Sequence, residues 1–167
     1  GYNDALISKT PAFASYLDDI SRRADDVRKG RVSRKIDNML KITTDGRKAA
    51  LDMRLVDPKA AFSYQSKVAR CAENVADIYF NNAKTKATQL IFCDTSTPKA
   101  GFNIYDELKT VLMNLGVPQA QIAYIHDAET ETERAELFMN VRNGDIRILI
   151  GSTFKLGLGV NIQDKLI

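Results

Sequence analysis

Tryptophan is absent from the 167 residues, histidine occurs once and cysteine twice. One histidine and no Cys-x-x-Cys leave no donor set for a structural metal, so no metal site is expected. The two cysteines, Cys71 and Cys93, sit inside apolar patterns and read as reduced, buried thiols. No apolar stretch approaches the roughly 20 residues of a membrane-spanning helix. The first residues also lack the apolar core of a signal peptide. The expected setting is cytoplasmic, with no membrane partner. The G-x-x-x-x-G-K-S/T loop that cradles nucleotide phosphates is missing. Asp106-Glu107 lies inside an amphipathic helical pattern and not at a strand end, so it is not read as a magnesium-binding carboxylate pair. No complete active site is expected, and no catalytic residue is assigned. A net charge of +3 does not by itself announce a nucleic-acid partner.

What is present begins with a hydrophobic content of 44%, enough for a proper core in one domain with a short extension. The most informative stretch is Asp145 to Gln163. Ile146, Ile148, Leu149 and Ile150 form a short apolar run of the kind buried on both faces of a parallel sheet. After Gly151 come Ser152 and Thr153 at the carboxyl end of that strand. Lys155, Gly157, Gly159, Asn161 and Gln163 follow. In open α/β sheets ligands sit in the crevice outside the carboxyl ends of the strands. Hydroxyls, a lysine and close-approach glycines there suit phosphate or sugar oxygens. On spacing alone, a strand with a glycine-rich turn and a surface loop serves equally well.

Along the chain, Thr10-Pro11 is a helix start, with Phe13, Tyr16, Leu17, Ile20, Ala24 and Val27 at helical spacing up to Gly30. A basic run from Arg22 to Lys35 is read as a solvated face, with nucleic-acid binding as the alternative. A second helix is expected from Ser33, using Ile36, Met39 and Leu40, with Asp45-Gly46 as a turn. Leu51, Met53 and Leu55 fit either a short strand or a helix end. Residues 1 to 60 are a mostly helical lead-in expected to pack on the domain proper. Ser66 to Asn82 is an amphipathic helix, and Gln89 to Cys93 a buried strand ending at Asp94-Thr95-Ser96. A helix over Ile104 to Leu115, a strand over Gln121 to Ile125, and a helix opened by the capping-box pair Thr130 and Glu133 come next. The strand from Ile146 closes the series. Helix alternating with strand argues a parallel sheet. Lys165-Leu166-Ile167 reads as the start of a fourth strand, so the chain is expected to be a fragment of something longer.

The segment G-S-T-F-K-L-G-L-G-V-N-I-Q, residues 151 to 163, resembles motif V of superfamily 2 helicases in its Swi/Snf-type form. Q-L-I-F-C-D, residues 89 to 94, is similar to motif IV. I-H-D-A-E-T-E-T-E-R, residues 125 to 134, resembles the segment between them. The match covers residues 66 to 167. With D-G-R-K-A-A-L-D-M-R-L-V-D-P at 45 to 58, the chain looks like the helicase region of the large methylase–helicase proteins of phages, plasmids and conjugative elements, which are linked to DNA modification or anti-restriction. Asp127 and Phe154 depart from the Swi/Snf pattern, which has glycine and arginine there.

The resemblance implies an α/β, RecA-like three-layer domain with its parallel sheet flanked by helices. Residues 61–167 would be an incomplete C-terminal lobe, with motif VI beyond the end. It implies that Thr95, Ser96, Ser152, Thr153 and Lys155 meet DNA phosphates. It further implies that Gly157, Gly159, Asn161 and Gln163 border a nucleotide. ATP and Mg2+ would serve the full-length protein, while this chain alone would require neither and turn over no ATP. The partners implied are DNA, an N-terminal RecA-like lobe of the same polypeptide and a fused methyltransferase. The methyltransferase signature Asn/Asp-Pro-Pro-aromatic is itself absent from the chain. His126 is read as a loop residue at a strand end. Two rival classes stand beside this. A dinucleotide-binding domain would use Gly157 and Gly159 but lacks the third glycine of G-x-G-x-x-G. A non-catalytic RecA-like scaffold would bind DNA or another subunit without turnover.

Overall fold

A computed structural model describes residues 3–157. The chain divides into two compact units, Gly1–Arg70 and Cys71–Ile167. Gly159, Asn161, Gln163 and the Lys165–Ile167 segment lie outside the described residues.

The first unit is built on α1 (Pro11–Arg28) and α2 (Met39–Leu51). The Thr10 hydroxyl accepts the Phe13 N–H at 3.2 Å, and Pro11 occupies the first helical position, as the sequence predicts. The second helix differs from expectation. It begins at Met39, because Asn38 takes the N-cap and its side chain accepts the Lys41 N–H at 3.0 Å. Ile36 is left outside, in a turn closed on the Ser33 carbonyl. The helix then runs straight through Asp45-Gly46, a pair that otherwise signals a turn. A glycine there costs about 1 kcal/mol against alanine. The cost is offset by tertiary contacts, since Arg23 of α1 donates to the Asp45 carboxylate at 2.9 Å. Arg23 also bonds Asp37 in a two-pronged pair at 2.7 and 3.0 Å. After α2, Asp52 caps a 3-10 turn at Met53–Leu55, so that segment is a helix end and not a strand.

The second unit holds a three-stranded parallel sheet in the order β1-β3-β2 and takes in most of α3 (Lys67–Asn81). Its strands are β1 (Gln89–Phe92), β2 (Ile122–Tyr124) and β3 (Ile148–Gly151). β3 is central, with Gln89 opposite Ile148 on one side and Ile122 opposite Ile148 on the other. All four residues of β3 are buried, which is why this strand reads as an unbroken apolar run. β2 is shorter than its apolar run because 3-10 turns at Gln119–Gln121 and Ile125–Asp127 flank it. Arg147, just before β3, is buried. It donates to the carbonyls of Tyr79 at 2.7 Å, Asn82 at 3.1 Å and Ala87 at 3.3 Å. It thereby closes the last turn of α3, where carbonyls lack helical partners. Its guanidinium also lies 3.9 Å from the Tyr79 ring centre.

The remaining helices are α4 (Ile104–Asn114), α5 (Glu131–Asn143) and the short α6 (Thr153–Gly157). α5 carries the predicted capping box between Thr130 and Glu133 and ends at Gly144 in the left-handed region, φ 79°. α6 stands where the sequence suggests a glycine-rich turn. The α/β class is as expected, a small parallel sheet flanked by helices.

Candidate functional site

Because the strands are parallel, the segments that follow them emerge at one end of the sheet. β1 delivers Asp94, Thr95 and Ser96. β3 delivers Ser152, Thr153 and Lys155. β2 delivers His126.

The packing beneath this end turns on Gly151. A Cβ there would stand 2.5 Å from Leu156 Cγ and 2.6 Å from Ile125 Cγ2. Only glycine lets α6 fold back this closely on the turn after β2. Ile125, Leu149 and Leu156 belong to one buried apolar cluster with Leu137 and Val141.

On that base the polar groups are tied together. Asp94 spans the gap between the β1 and β3 ends. One carboxylate oxygen accepts the Thr153 N–H at 2.7 Å and the other accepts the Thr153 hydroxyl at 2.8 Å. The Ser152 hydroxyl accepts the Lys155 N–H at 3.2 Å. Ser96 sits at φ 60°, a conformation seldom adopted by residues with a side chain. Its hydroxyl accepts the Ile104 N–H at 3.2 Å and so anchors the start of α4. The Thr95 carbonyl accepts the Cys93 thiol at 3.1 Å. The Tyr105 hydroxyl donates to the Cys93 carbonyl at 2.7 Å.

His126 packs edge-on against Tyr105, with ring centres 5.2 Å apart. Burial lowers its pKa from the ordinary 6.5, and the nearby Lys155 charge lowers it further against the opposing pull of Asp127. Burial pushes the Tyr105 hydroxyl up, reinforced by Cys93 and Asp94. Burial also raises both thiols, which are half-buried and unpaired, so they stay protonated near neutrality. Asp106 is committed to the fold: its carboxylate accepts from Asn103 at 2.6 Å and from the Tyr124 hydroxyl at 3.0 Å.

Of the predicted residues, Ser152, Thr153 and Lys155 form one run here, with Thr95 and Ser96 on the neighbouring strand end. Gly157 ends α6. Gly159, Asn161 and Gln163 are outside the described residues. Sequence reasoning missed Asp94 as the partner of Thr153; His126 lies in a turn at the end of β2, where the sequence places it, and packs against Tyr105. Among the described residues no group of three or more His, Cys, Asp or Glu is arranged to hold a metal ion. No described helix is long and apolar enough to cross a membrane. A hollow of about 80 Å3 in the first unit is lined by Ile7, Phe13, Ala49, Leu51 and Met53, and contains none of the predicted site residues. Comparison with known proteins finds no matching family model, no matching characterised protein and no matching solved structure.

Proposed function

We propose that the chain is the second RecA-like lobe of an ATP-dependent DNA helicase or translocase. It would supply DNA-backbone contacts and half of an ATP site within a DNA-modification or anti-restriction protein. The observation in favour is the grip of Thr153 on Asp94. The threonine N–H and hydroxyl together hold both oxygens of one anionic group. A backbone phosphate offers the same pair of oxygens, and such contacts position DNA without reading its sequence. In this reading Asp94 holds the place and swings aside when a phosphate arrives, with Lys155 adding positive charge nearby. Of the residues assigned to the nucleotide, only Gly157 belongs to the described chain. The ATP and Mg2+ contribution therefore rests on the resemblance alone, and no chemical step is assigned to this chain.

A binding isotherm on mixed-sequence duplex DNA, repeated over a range of salt, tests the proposal. The chain should bind weakly, with log K falling by about 0.9 per log unit of salt for each phosphate neutralised. Tight, salt-insensitive or strongly sequence-selective binding would contradict it. The chain has no G-x-x-x-x-G-K-S/T loop to cradle nucleotide phosphates, so the purified chain should show no ATP turnover. The non-catalytic scaffold reading has one observation in its favour. Ile36, Met39 and Leu40 are exposed together in the first unit. A chain that binds a protein partner and no DNA would establish that reading instead.

A further inference from the structure

We propose that the hollow in the first unit is a docking site for an acidic segment of a partner protein, which inserts one branched aliphatic side chain. The proposal is independent of the DNA-binding reading and uses none of its residues.

The hollow lies where the segment before α1, the end of α2 and the start of α3 come together, all within Gly1–Arg70. Phe13 of α1, Ala50 of α2 and Met53 of the turn after it are on its wall. An apolar side chain placed in such a concave apolar site leaves water, which favours its entry. The volume is about 80 Å3. A cavity of about 150 Å3 encloses a benzene ring, so this one takes the branched end of a leucine and not an indole. One side chain seated in a pocket is how protein interfaces concentrate their binding energy. The surface beside the hollow is apolar too. Leu6 and Tyr64, each next in the chain to a residue of the wall, are 94% and 79% exposed. Exposed apolar side chains grouped about a pocket mark a surface that a partner covers.

Charge names the partner. Lys9 and Lys67 line the hollow and are exposed, and neither is in an ion pair with another described residue. Thr10 and Ser66 line it as well. Their hydroxyls accept the Phe13 and Ala69 N–H groups at 3.2 and 3.1 Å, so the first turns of α1 and α3 bring their positive ends to the same wall. Among the described lining residues the only carboxylate is Asp52. It is buried and accepts from the Arg54 guanidinium at 2.9 and 2.8 Å, so its charge is matched within the fold. What remains at the rim is positive. Acidic side chains on either side of the inserted one complement it. A phosphodiester backbone brings the charge but no apolar group for the hollow, so the two features together select an acidic protein segment over nucleic acid.

The probe is a fluorescein-labelled peptide with one leucine between glutamates, read by anisotropy against the whole 167-residue chain. It should bind weakly, and more tightly at low salt. Replacing the leucine by alanine should weaken binding about tenfold, the size expected for partial burial of the lost methyl groups. Replacing it by tryptophan should weaken binding as much, because the ring does not enter. A glutamine version of the peptide should lose the salt dependence. In the chain, Ala50→Met fills the hollow at a helical position that methionine suits. It should abolish binding and leave the helical signal unchanged. Lys9→Gln and Lys67→Gln should each weaken binding about two- to threefold, as loss of an exposed ion pair does, with the preference for leucine kept.

Equal binding of the leucine, alanine and tryptophan peptides would overturn the proposal, since charge alone would then account for it. Displacement of the peptide by a duplex oligonucleotide would make the rim a nucleic-acid surface instead. Competition by isovalerate at the peptide's own concentration would make the hollow a small-molecule site. A wild-type chain that dimerises where Ala50→Met stays monomeric would give the hollow to a second copy. A leucine peptide that does not bind the wild-type chain, or binds Ala50→Met equally well, also ends the proposal. The peptide series decides the matter even where Ala50→Met fails to fold.

Discussion

The two units are held together by different physics. In the second, β3 contributes Ile148, Leu149 and Ile150, all fully buried, and Tyr105, Ile104 and Leu112 are equally enclosed. In the first, the longest helix of the described chain, α1, has no fully buried residue. The Arg23 guanidinium of α1 is shared between Asp37 and Asp45, while the apolar residues of α1 are only part-buried. One unit is an apolar core with a polar rim. In the other, α2 buries Ile42 and Ala49, and a charge network reaches α1. Apolar burial is insensitive to salt screening and pH to first order, while ion pairs respond to both. The first unit should therefore give way under conditions the second survives.

The sharpest way to break the second unit is Leu149→Ala at the centre of β3. It should cost about 2–5 kcal/mol, read from a chemical denaturation curve, as large-to-small changes at enclosed positions do. Arg147→Met attacks the one fully buried charge among the described residues of that unit. It should cost about 2–3 kcal/mol by leaving carbonyls at the end of α3 without donors, and hydrogen exchange should locate the loss at Tyr79 and Asn82.

Arg23→Met tests the other side of the contrast. It strands the Asp37 and Asp45 carboxylates, and because the network is partly open to solvent the cost should be nearer about 2 kcal/mol than the full value for an enclosed pair. The Arg23 hydrogen bonds hold the Asp37 carboxyl below its ordinary 3.8. A carboxyl so depressed contributes stability that is fully present above the unfolded value and is lost as pH falls through the folded one. The wild-type first unit should thus lose its helical signal on acidification below about pH 4. In Arg23→Met that acid sensitivity should be much reduced, although the protein starts less stable. Equal acid sensitivity in the variant would show that other carboxylates hold α1 in place.

The smallest effect concerns the rim. Thr153→Val removes the hydroxyl half of the grip on Asp94 with little change in volume. It should leave the denaturation midpoint nearly unchanged and weaken DNA binding by about 0.5–1.5 kcal/mol.

Legibility in the sequence follows the same division. Elements fixed by local chemistry could be read directly. Thr10-Pro11 opens α1, Thr130 and Glu133 open α5, and the apolar run before Gly151 is a buried central strand. Elements decided by distant contacts could not. Ile36, Met39 and Leu40 are at helical spacing, yet Asn38 claims the cap and leaves Ile36 outside. Asp45-Gly46 reads as a turn until Arg23, far away in the chain, engages Asp45 within a helix. At the site, the hydroxyls and Lys155 were visible from their place after a strand. The Asp94–Thr153 contact bridges residues 59 apart in sequence, and no local pattern announces it. His126 was legible as a residue at a strand end, but its ring contact with Tyr105 was not, because it depends on how α4 packs beside the turn after β2.

The claim at the centre is that the rim of the second unit, and not the basic run from Arg22 to Lys35 in the first, meets the DNA backbone. Amide chemical-shift mapping during titration with duplex DNA tests this most directly. The predicted result is perturbation at residues 94–96 and 152–155, with the Arg22–Lys35 amides moving little. Perturbation confined to Arg22–Lys35, with the strand ends silent, would contradict it and would make the grip of Thr153 on Asp94 a purely structural clasp.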